Sequence, residues 1–443
     1  VIGIVESRAD SASEHICRQL RDLLEWETLE DETQPEGDGG GRWYRTAEAE
    51  LRRFEGMHLE LESAAEAFQC ELDLLVFASR HAGETGPLLT AHFTGNFGPG
   101  EYGGEDHALA EAAPNTLPIL LEAFDEYAPE GYDVGLECTH HGPTDVGCPS
   151  LFVELGSSET EWADPAGARA VAQAILALRD VDAQRSRQVV GFGGGHYVPR
   201  FERIIRETPW TVGHVGADWP LEAMGDPEDH RDLLCRAFEA SHAELAVIEG
   251  EKPAIERVIT DLGYRVVSET WLRTVGDRPL ELVEVVEREL GPIADGVRFG
   301  TERSTPISVA PLPTDLLETV NGIDPEATWA AVESKTVAFE TENGGTRVGK
   351  RVAVDADRSR LELVEALVPI LEKKYESVTV TPESVVAHER AFAPELAREA
   401  GVKPGPAFGK LAEGEAVIVD GTVVQPESVT VDRTHRFQLA DRD

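Results

Sequence analysis

Lysine is almost missing from this 443-residue chain: seven occur, and none precedes Lys252. With 83 acidic residues against 40 basic ones, the net charge is −43. Such an acid excess suits a chain kept soluble in molar salt. Carboxylates hold their hydration, and the Debye length falls to ~3 Å at 1 M, so self-repulsion is weak. A halophilic source is expected. The same balance excludes the usual electrostatic grip on nucleic acid, because counterion release gains little at that ionic strength and no basic patch with interleaved aromatics occurs. DNA is not an expected partner, and any RNA must be held by short-range contacts. Long apolar runs are also missing, which excludes a membrane partner held by a spanning helix. Cysteine is sparse: Cys17, Cys70, Cys138, Cys148 and Cys235 are odd in number and form no C-x-x-C, which fits a reducing cytoplasm. No G-x-S-x-G nucleophile elbow and no P-loop are present.

What is present is an alternation of strands and helices. Val1–Val5 is an unbroken apolar run, suited to burial on both faces. Ser11-x-x-Glu14 predicts a capping box that opens a helix running to Trp26. The stretch 28–41 is acidic and glycine-rich, and is expected to be a disordered surface insertion. Strands are predicted within Trp43–Glu55, over Met57–Leu61, Asp73–Ala78, Pro149–Leu155, Gln188–Gly191, Trp210–Val215 and Tyr264–Val267. Helices over Asp106–Phe124, Pro165–Arg179, Pro199–Arg206, Asp226–Ser241 and Glu251–Leu262 alternate with them. The expected fold is α/β, with a mostly parallel sheet covered by helices on both faces. Near Gly291–Thr305 the texture turns to Gly, Pro and small polar residues. We therefore expect a main domain over 1–290, a linker over 291–310 and a smaller C-terminal α/β domain over 311–443. That last part should hold a helix over Ser359–Lys374 and a hairpin at Asp420-Gly421. A monomer or small homo-oligomer is expected.

Chemistry gathers at the ends of the predicted strands. Glu137-Cys-Thr-His-His-Gly-Pro-Thr144 closes one apolar run. Ser79-Arg80-His81, Thr90-Ala-His92-Phe-Thr-Gly-Asn96 and Gly191-Phe-Gly-Gly-Gly-His-Tyr197 follow others. Strand ends are where open α/β sheets bind ligands. Seven of the 13 histidines fall between His81 and His214, and Glu137 and Glu154 lie among them. Imidazoles with carboxylates suit Zn²⁺, one or two ions per subunit, with His81, His92, His140, His141, Glu154 and His196 as candidate ligands. A lone histidine is more often a surface or satisfied core residue; it is the clustering that argues for a site. In a continuous strand His140 and His141 would face opposite ways. They serve one metal only if the chain turns at Gly142-Pro143; otherwise there are two metals, or one ligand and one proton-transfer group. Glu137, His140, His141 and His196 are the catalytic candidates. Gly193, Gly194 and Gly195 are either an anion cradle or a tight strand-to-helix turn.

Six of these motifs together resemble one family. They are Val5-Glu-Ser-Arg-Ala-Asp-Ser-Ala-Ser-Glu-His-Ile16, Ser79-Arg-His81, Thr90 to Phe97, Thr139-His-His-Gly-Pro-Thr144, Phe152 to Glu159 and Gly191 to Tyr197. The pattern resembles the archaeal and plant type of D-aminoacyl-tRNA deacylase over residues 1–290. The resemblance implies hydrolysis of the ester joining a D-amino acid to the acceptor end of tRNA. It also implies zinc dependence and a fold similar to peptidyl-tRNA hydrolases and nucleoside phosphorylases. Arg80, Asn96, Thr139 and Tyr197 lie within these motifs and are expected at the substrate. Gly401 to Leu411 resembles a segment of tRNA 3′-processing endonucleases of the RNase Z type, which makes Lys403 and Lys410 candidate contacts for the acceptor end. A metal-dependent amidase or peptidyl-tRNA hydrolase-like enzyme, and a non-catalytic tRNA-end binding protein, are the competing readings.

Overall fold

The computed structural model describes residues 1–357 and 360–439. It divides into two compact units, Val1–Gly276 and Asp277 onward. In the first unit the elements run β1 (Ile2–Ser7), α1 (Ser11–Leu23), β2 (Glu27–Asp31), β3 (Gly41–Arg45), β4 (Ala49–Phe54), β5 (Leu74–Ala82), β6 (Leu88–His92), β7 (Gly95–Asn96) and β8 (Ala108–Leu109). Then follow α2 (Thr116–Tyr127), β9 (Asp133–Leu136), β10 (Ser150–Ser157), α3 (Glu159–Trp162), α4 (Pro165–Leu176), β11 (Gln188–Phe192), α5 (Pro199–Glu207) and β12 (Thr211–Gly216). The unit closes with α6 (Asp218–Met224), α7 (Arg231–Ala240), β13 (Leu245–Ile248), α8 (Pro253–Asp261), β14 (Arg265–Val266) and α9 (Glu269–Val275).

An eight-stranded sheet is ordered β2-β3-β4-β1-β5-β10-β6-β9. Its centre, β4-β1-β5-β10, is parallel, while β6 runs antiparallel to β10 and parallel to β9. A second sheet, β12-β11-β13-β14, is wholly parallel. The architecture is thus mixed α/β with mostly parallel sheets. Every residue of β1 is buried, but Val1, which opened the expected run, is exposed. Helix α1 packs on β5 and α4, and α2 packs on α4.

Several local expectations need correction. Asp10, not Ser11, caps α1: its carboxylate accepts from the Ala12 and Ser13 amides, so the helix starts where an acceptor meets its free N–H groups. The predicted strand at Met57–Leu61 is a 3-10 turn, His58–Glu60. The predicted helix over Asp106–Phe124 starts only at Thr116, because Pro114 cannot continue a helix, whereas Pro118 sits in the first turn where no N–H is needed. The acidic stretch 28–41 is not disordered. It supplies β2 and the approach to β3, and covers Arg52, which is fully buried. Arg52 donates to Asp31 (2.8 Å), Glu50 (2.6 Å) and the Gly39 carbonyl (2.9 Å), with Trp43 4.6 Å away. A buried guanidinium needs its carboxylates, and that need orders a segment whose composition alone reads as coil.

The second unit alternates strand and helix as expected, but its strands pair antiparallel. It takes in the helix Leu280–Glu289, which the sequence assigned to the main domain. Its helix Arg360–Leu371 matches the one expected from Ser359, a residue that lies outside the described ones. The expected hairpin joins Val417–Val419 to Thr422–Val424, with Asp420 and Gly421 both at positive φ.

Candidate active site

The segment after β9 ties the two sheets of the first unit together. The Glu137 amide bonds the Ala91 carbonyl of the large sheet (3.1 Å). The next two amides cross to the other sheet's loops: Cys138 to the His196 carbonyl (2.8 Å) and Thr139 to Val215 (2.9 Å). Strand ends from both sheets therefore meet at one place. β5 brings Arg80 and His81, β6 brings His92, and the loop after β11 brings His196. Because β10 runs antiparallel to β6, Phe152 pairs with His92 and Glu154 stands two residues further along. Arg80, His81, Glu154 and His196 line a cleft of about 940 Å³, together with Glu137, His140 and His141.

The chain does turn at His141, whose φ is 48°. The rings of His140 and His141 come to 4.5 Å of each other, and that of His92 lies 4.2 Å from His140. In all three the Nδ1 atom sits against a main-chain carbonyl: Phe93 O at 3.0 Å from His92, Cys138 O at 2.8 Å from His140 and Gly142 O at 2.8 Å from His141. An Nδ1–H donated to a carbonyl leaves the Nε2 lone pair free. His92 Nε2 is buried without a hydrogen-bond partner. Donor atoms of His92, His140 and His141 lie within 4.8 Å of one another, as do those of Cys138, His140 and His196, and those of His81, Glu137 and Glu154. Three imidazoles facing one point fit a divalent cation of borderline softness.

The carboxylates organise the rest. Glu137 accepts from His196 Nε2 at 2.6 Å and stands 3.1 Å from His81 Nδ1. Glu154 lies 3.6 Å from both His81 Nδ1 and His92 Nε2. Burial opposes the charged form of Glu137, but its hydrogen bonds to His196 and His81 hold it well below the ordinary carboxylate range. Burial likewise opposes a charge on His81, but Glu137 and Glu154 outweigh it and raise His81 to about 10. Burial, reinforced by neighbouring imidazoles, lowers His140 to about 3 and puts His141 well below its usual value. His92 departs from this pattern, because Glu154 raises it against burial. A cation on its Nε2 would compete with that proton.

Other expected site residues fall in different places. Arg80 lines the cleft, with its guanidinium 5.1 Å from the Trp162 ring. Thr139 lies at the floor, but its hydroxyl is taken by His214 Nδ1 (3.0 Å) and the Val215 amide (3.1 Å). Asn96 donates to the Gly103 (2.9 Å) and Glu105 (3.1 Å) carbonyls and so holds a loop. Tyr197 bonds His81 Nε2 through its hydroxyl at 3.2 Å. Gly193, Gly194 and Gly195 do not line the cleft. The Gly193 amide bonds Gly216 O (2.7 Å), and a side chain at Gly193 would strike the Glu249 carbonyl at 2.3 Å. Gly193 therefore sits in a tight turn, its amide already engaged. Lys403 and Lys410 are exposed on the second unit. No sequence signal marks Met57, His58, Tyr102 and Trp219, which also line the cleft: they lie in loops, a 3-10 turn and a short helix outside every motif.

The family model for D-aminoacyl-tRNA deacylase matches residues 68–267. A D-aminoacyl-tRNA deacylase of Natronomonas pharaonis is 52% identical over 99% of this chain and 100% of its own length. That of Halorubrum lacusprofundi is 50% identical over 99% of the chain and 97% of its own. The one from Methanoregula boonei is 32% identical over 99% and 98%. A crystal structure of a conserved protein of unknown function superposes with a TM-score of 0.55, at 28% identity, over 62% of this chain and 96% of that one.

Proposed function

The chain belongs to the D-aminoacyl-tRNA deacylase family, and from that premise we propose how its cleft hydrolyses the ester of D-aminoacyl-tRNA. The observation that carries the reading is the set of three histidines, His92, His140 and His141, each with Nδ1 against a main-chain carbonyl. They would hold a divalent cation, with zinc the natural choice for imidazole nitrogen. Such an ion, when bound, polarises an ester carbonyl and acidifies water. The remaining steps belong to the chain's own groups. Glu137, ionised and bonded to His196, orients that imidazole. His196 takes a proton from the attacking water and returns one to the ribose oxygen that leaves. His81, held cationic between Glu137 and Glu154, faces negative charge developing on the ester oxygen. Apolar groups at Met57, Leu59, Phe97 and Pro220 line the same cleft and receive the amino-acid side chain. Selection for the D-isomer comes from a wall that the L-isomer strikes.

Catalysis resides in the first unit, and Lys403 and Lys410 of the second contact the acceptor end. The enzyme works in the cytoplasm as a monomer or small homo-oligomer; no helix among the described residues is long and apolar enough to cross a membrane. A likeness to peptidyl-tRNA hydrolase and nucleoside phosphorylase folds is part of the proposal and is tested by superposition.

Matched D- and L-tyrosyl-tRNA, assayed in molar KCl with and without chelator, test the mechanism. Turnover of the D-ester, lost with chelator and restored by zinc, is expected. Undiminished turnover in metal-free enzyme would refute the cation. Preference for N-blocked peptidyl-tRNA would favour the peptidyl-tRNA hydrolase alternative, and binding without turnover a tRNA-end binding protein.

A further inference from the structure

Large aromatic side chains are nearly all covered in this protein. Among the described residues the exposed ones are Tyr102 (68%), Trp219 (48%) and Tyr197 (37%). All three stand at the one cleft. Tyr102 and Trp219 line it, and Tyr197 bonds His81 beside it. Exposing an indole and two phenol rings to water at a single place is unfavourable unless a ligand covers them.

The segments that carry the two lining rings are also held in place. Trp219 lies in the first turn of α6, its ring centroid 6.5 Å from that of His196 with the planes 31° apart. α6 is anchored by the Asp218 amide on Gly194 O (2.9 Å) and by Lys252 on the Asp218 carboxylate (2.5 Å). The glycine turn thus serves to seat the indole. The Tyr102 carbonyl accepts from the Gly142 amide (3.1 Å), next to the histidine pair, and Asn96 holds the following residue through its carbonyl.

We propose that Trp219 and Tyr102 form the stacking platform for the terminal purine base of the tRNA acceptor end. This rests on the deacylase reading. The bond to be cleaved joins the amino acid to the last ribose, so that ribose and its base must lie beside the catalytic histidines. A cleft of about 940 Å³ admits the aminoacyl group and one nucleoside, not the tRNA body. The base therefore sits at the open mouth, where the strand leaves, and the most exposed rings of the lining are Tyr102 and Trp219. Charge offers no substitute on a chain of net charge −43. Stacking needs no counterion release and survives molar salt far better than phosphate contacts do.

The test uses the full chain in molar KCl. The trinucleotide cytidylyl-cytidylyl-adenosine, and the same oligomer with an abasic 3′ end, are titrated while indole fluorescence is followed. Wild type is expected to bind the first with quenching and the second at least roughly ten-fold more weakly. Trp219→Ala should lose the quenching and raise KM for D-tyrosyl-tRNA by roughly ten-fold or more. Trp219→Phe, which keeps a ring, should recover most of the KM. Tyr102→Ala, at a side chain with little to hold up, provides a second variant whose folding is not in doubt. Wild-type KM and wild-type trinucleotide affinity in both alanine variants would overturn the platform. Absence of D-ester turnover by the wild-type chain would instead refute the deacylase reading, and equal binding of the two oligomers would then refute the platform as well.

Discussion

His141 holds a left-handed backbone conformation that a residue with a Cβ adopts at a cost. The return is local: two consecutive imidazoles, which an extended chain would send to opposite faces, point at one site. His140→Ala and His141→Ala should each lower D-tyrosyl-tRNA deacylation by at least ~100-fold and reduce bound zinc on elemental analysis. His196→Ala should lose activity while retaining zinc, because its nearest strong partner is Glu137 and not the three-histidine set. Retained zinc with retained activity in that variant would remove His196 from proton transfer. The histidines themselves were legible as residues, since they cluster in sequence and close apolar runs. Which of them face one another was not, because that depends on a single φ angle at His141.

Helices α5 and α9 meet through Glu269. Its carboxylate accepts from Arg203 (2.8 Å), Arg273 (2.8 Å) and Arg200 (3.4 Å). The hydrogen bond from Arg203 is the main cause of its lowered pKa, which falls to about 2; burial works the other way. A carboxylate depressed in the folded state contributes stability that is fully present above its ordinary value of about 4.3 and lost as pH falls through the folded one. Glu269→Gln should therefore flatten the loss of urea resistance between about pH 4.5 and 2 while changing little in its shape above that window. A variant with the wild-type acid limb would show that the clamp contributes nothing. High KCl should blunt the effect, since the cluster is near solvent. At this scale the sequence was most readable where period and punctuation agree, as in buried β1 or the Asp420-Gly421 hairpin. It was least readable where a distant partner decides. The strand at 27–31 exists because Arg52 must be neutralised from outside its own strand. The direction of β6 against β10, which sets His92 beside Glu154, has no local signal at all.

The chain as a whole is a polyanion that must receive a polyanion. Several relatives come from haloarchaea, where salt screens that repulsion. Each of the few lysines then has a role worth testing. Lys403→Ala/Lys410→Ala in the full chain should raise KM for D-tyrosyl-tRNA with kcat nearly intact, the pattern of lost uniform binding. An unchanged KM at two KCl concentrations would make that segment a structural turn. A collapse in kcat would make the second unit part of the chemistry. The segment 137–139 has one more consequence, and it concerns time. Its amides reach Ala91, His196 and Val215, partners far apart along the chain, so its contacts are of long range and close only after both sheets stand. A refolding chain should regain its helices and strands before its site, and under mild denaturant deacylation should be lost while most of the ellipticity remains; coincident loss of the two signals would refute this. In this architecture activity is a late arrival and an early departure.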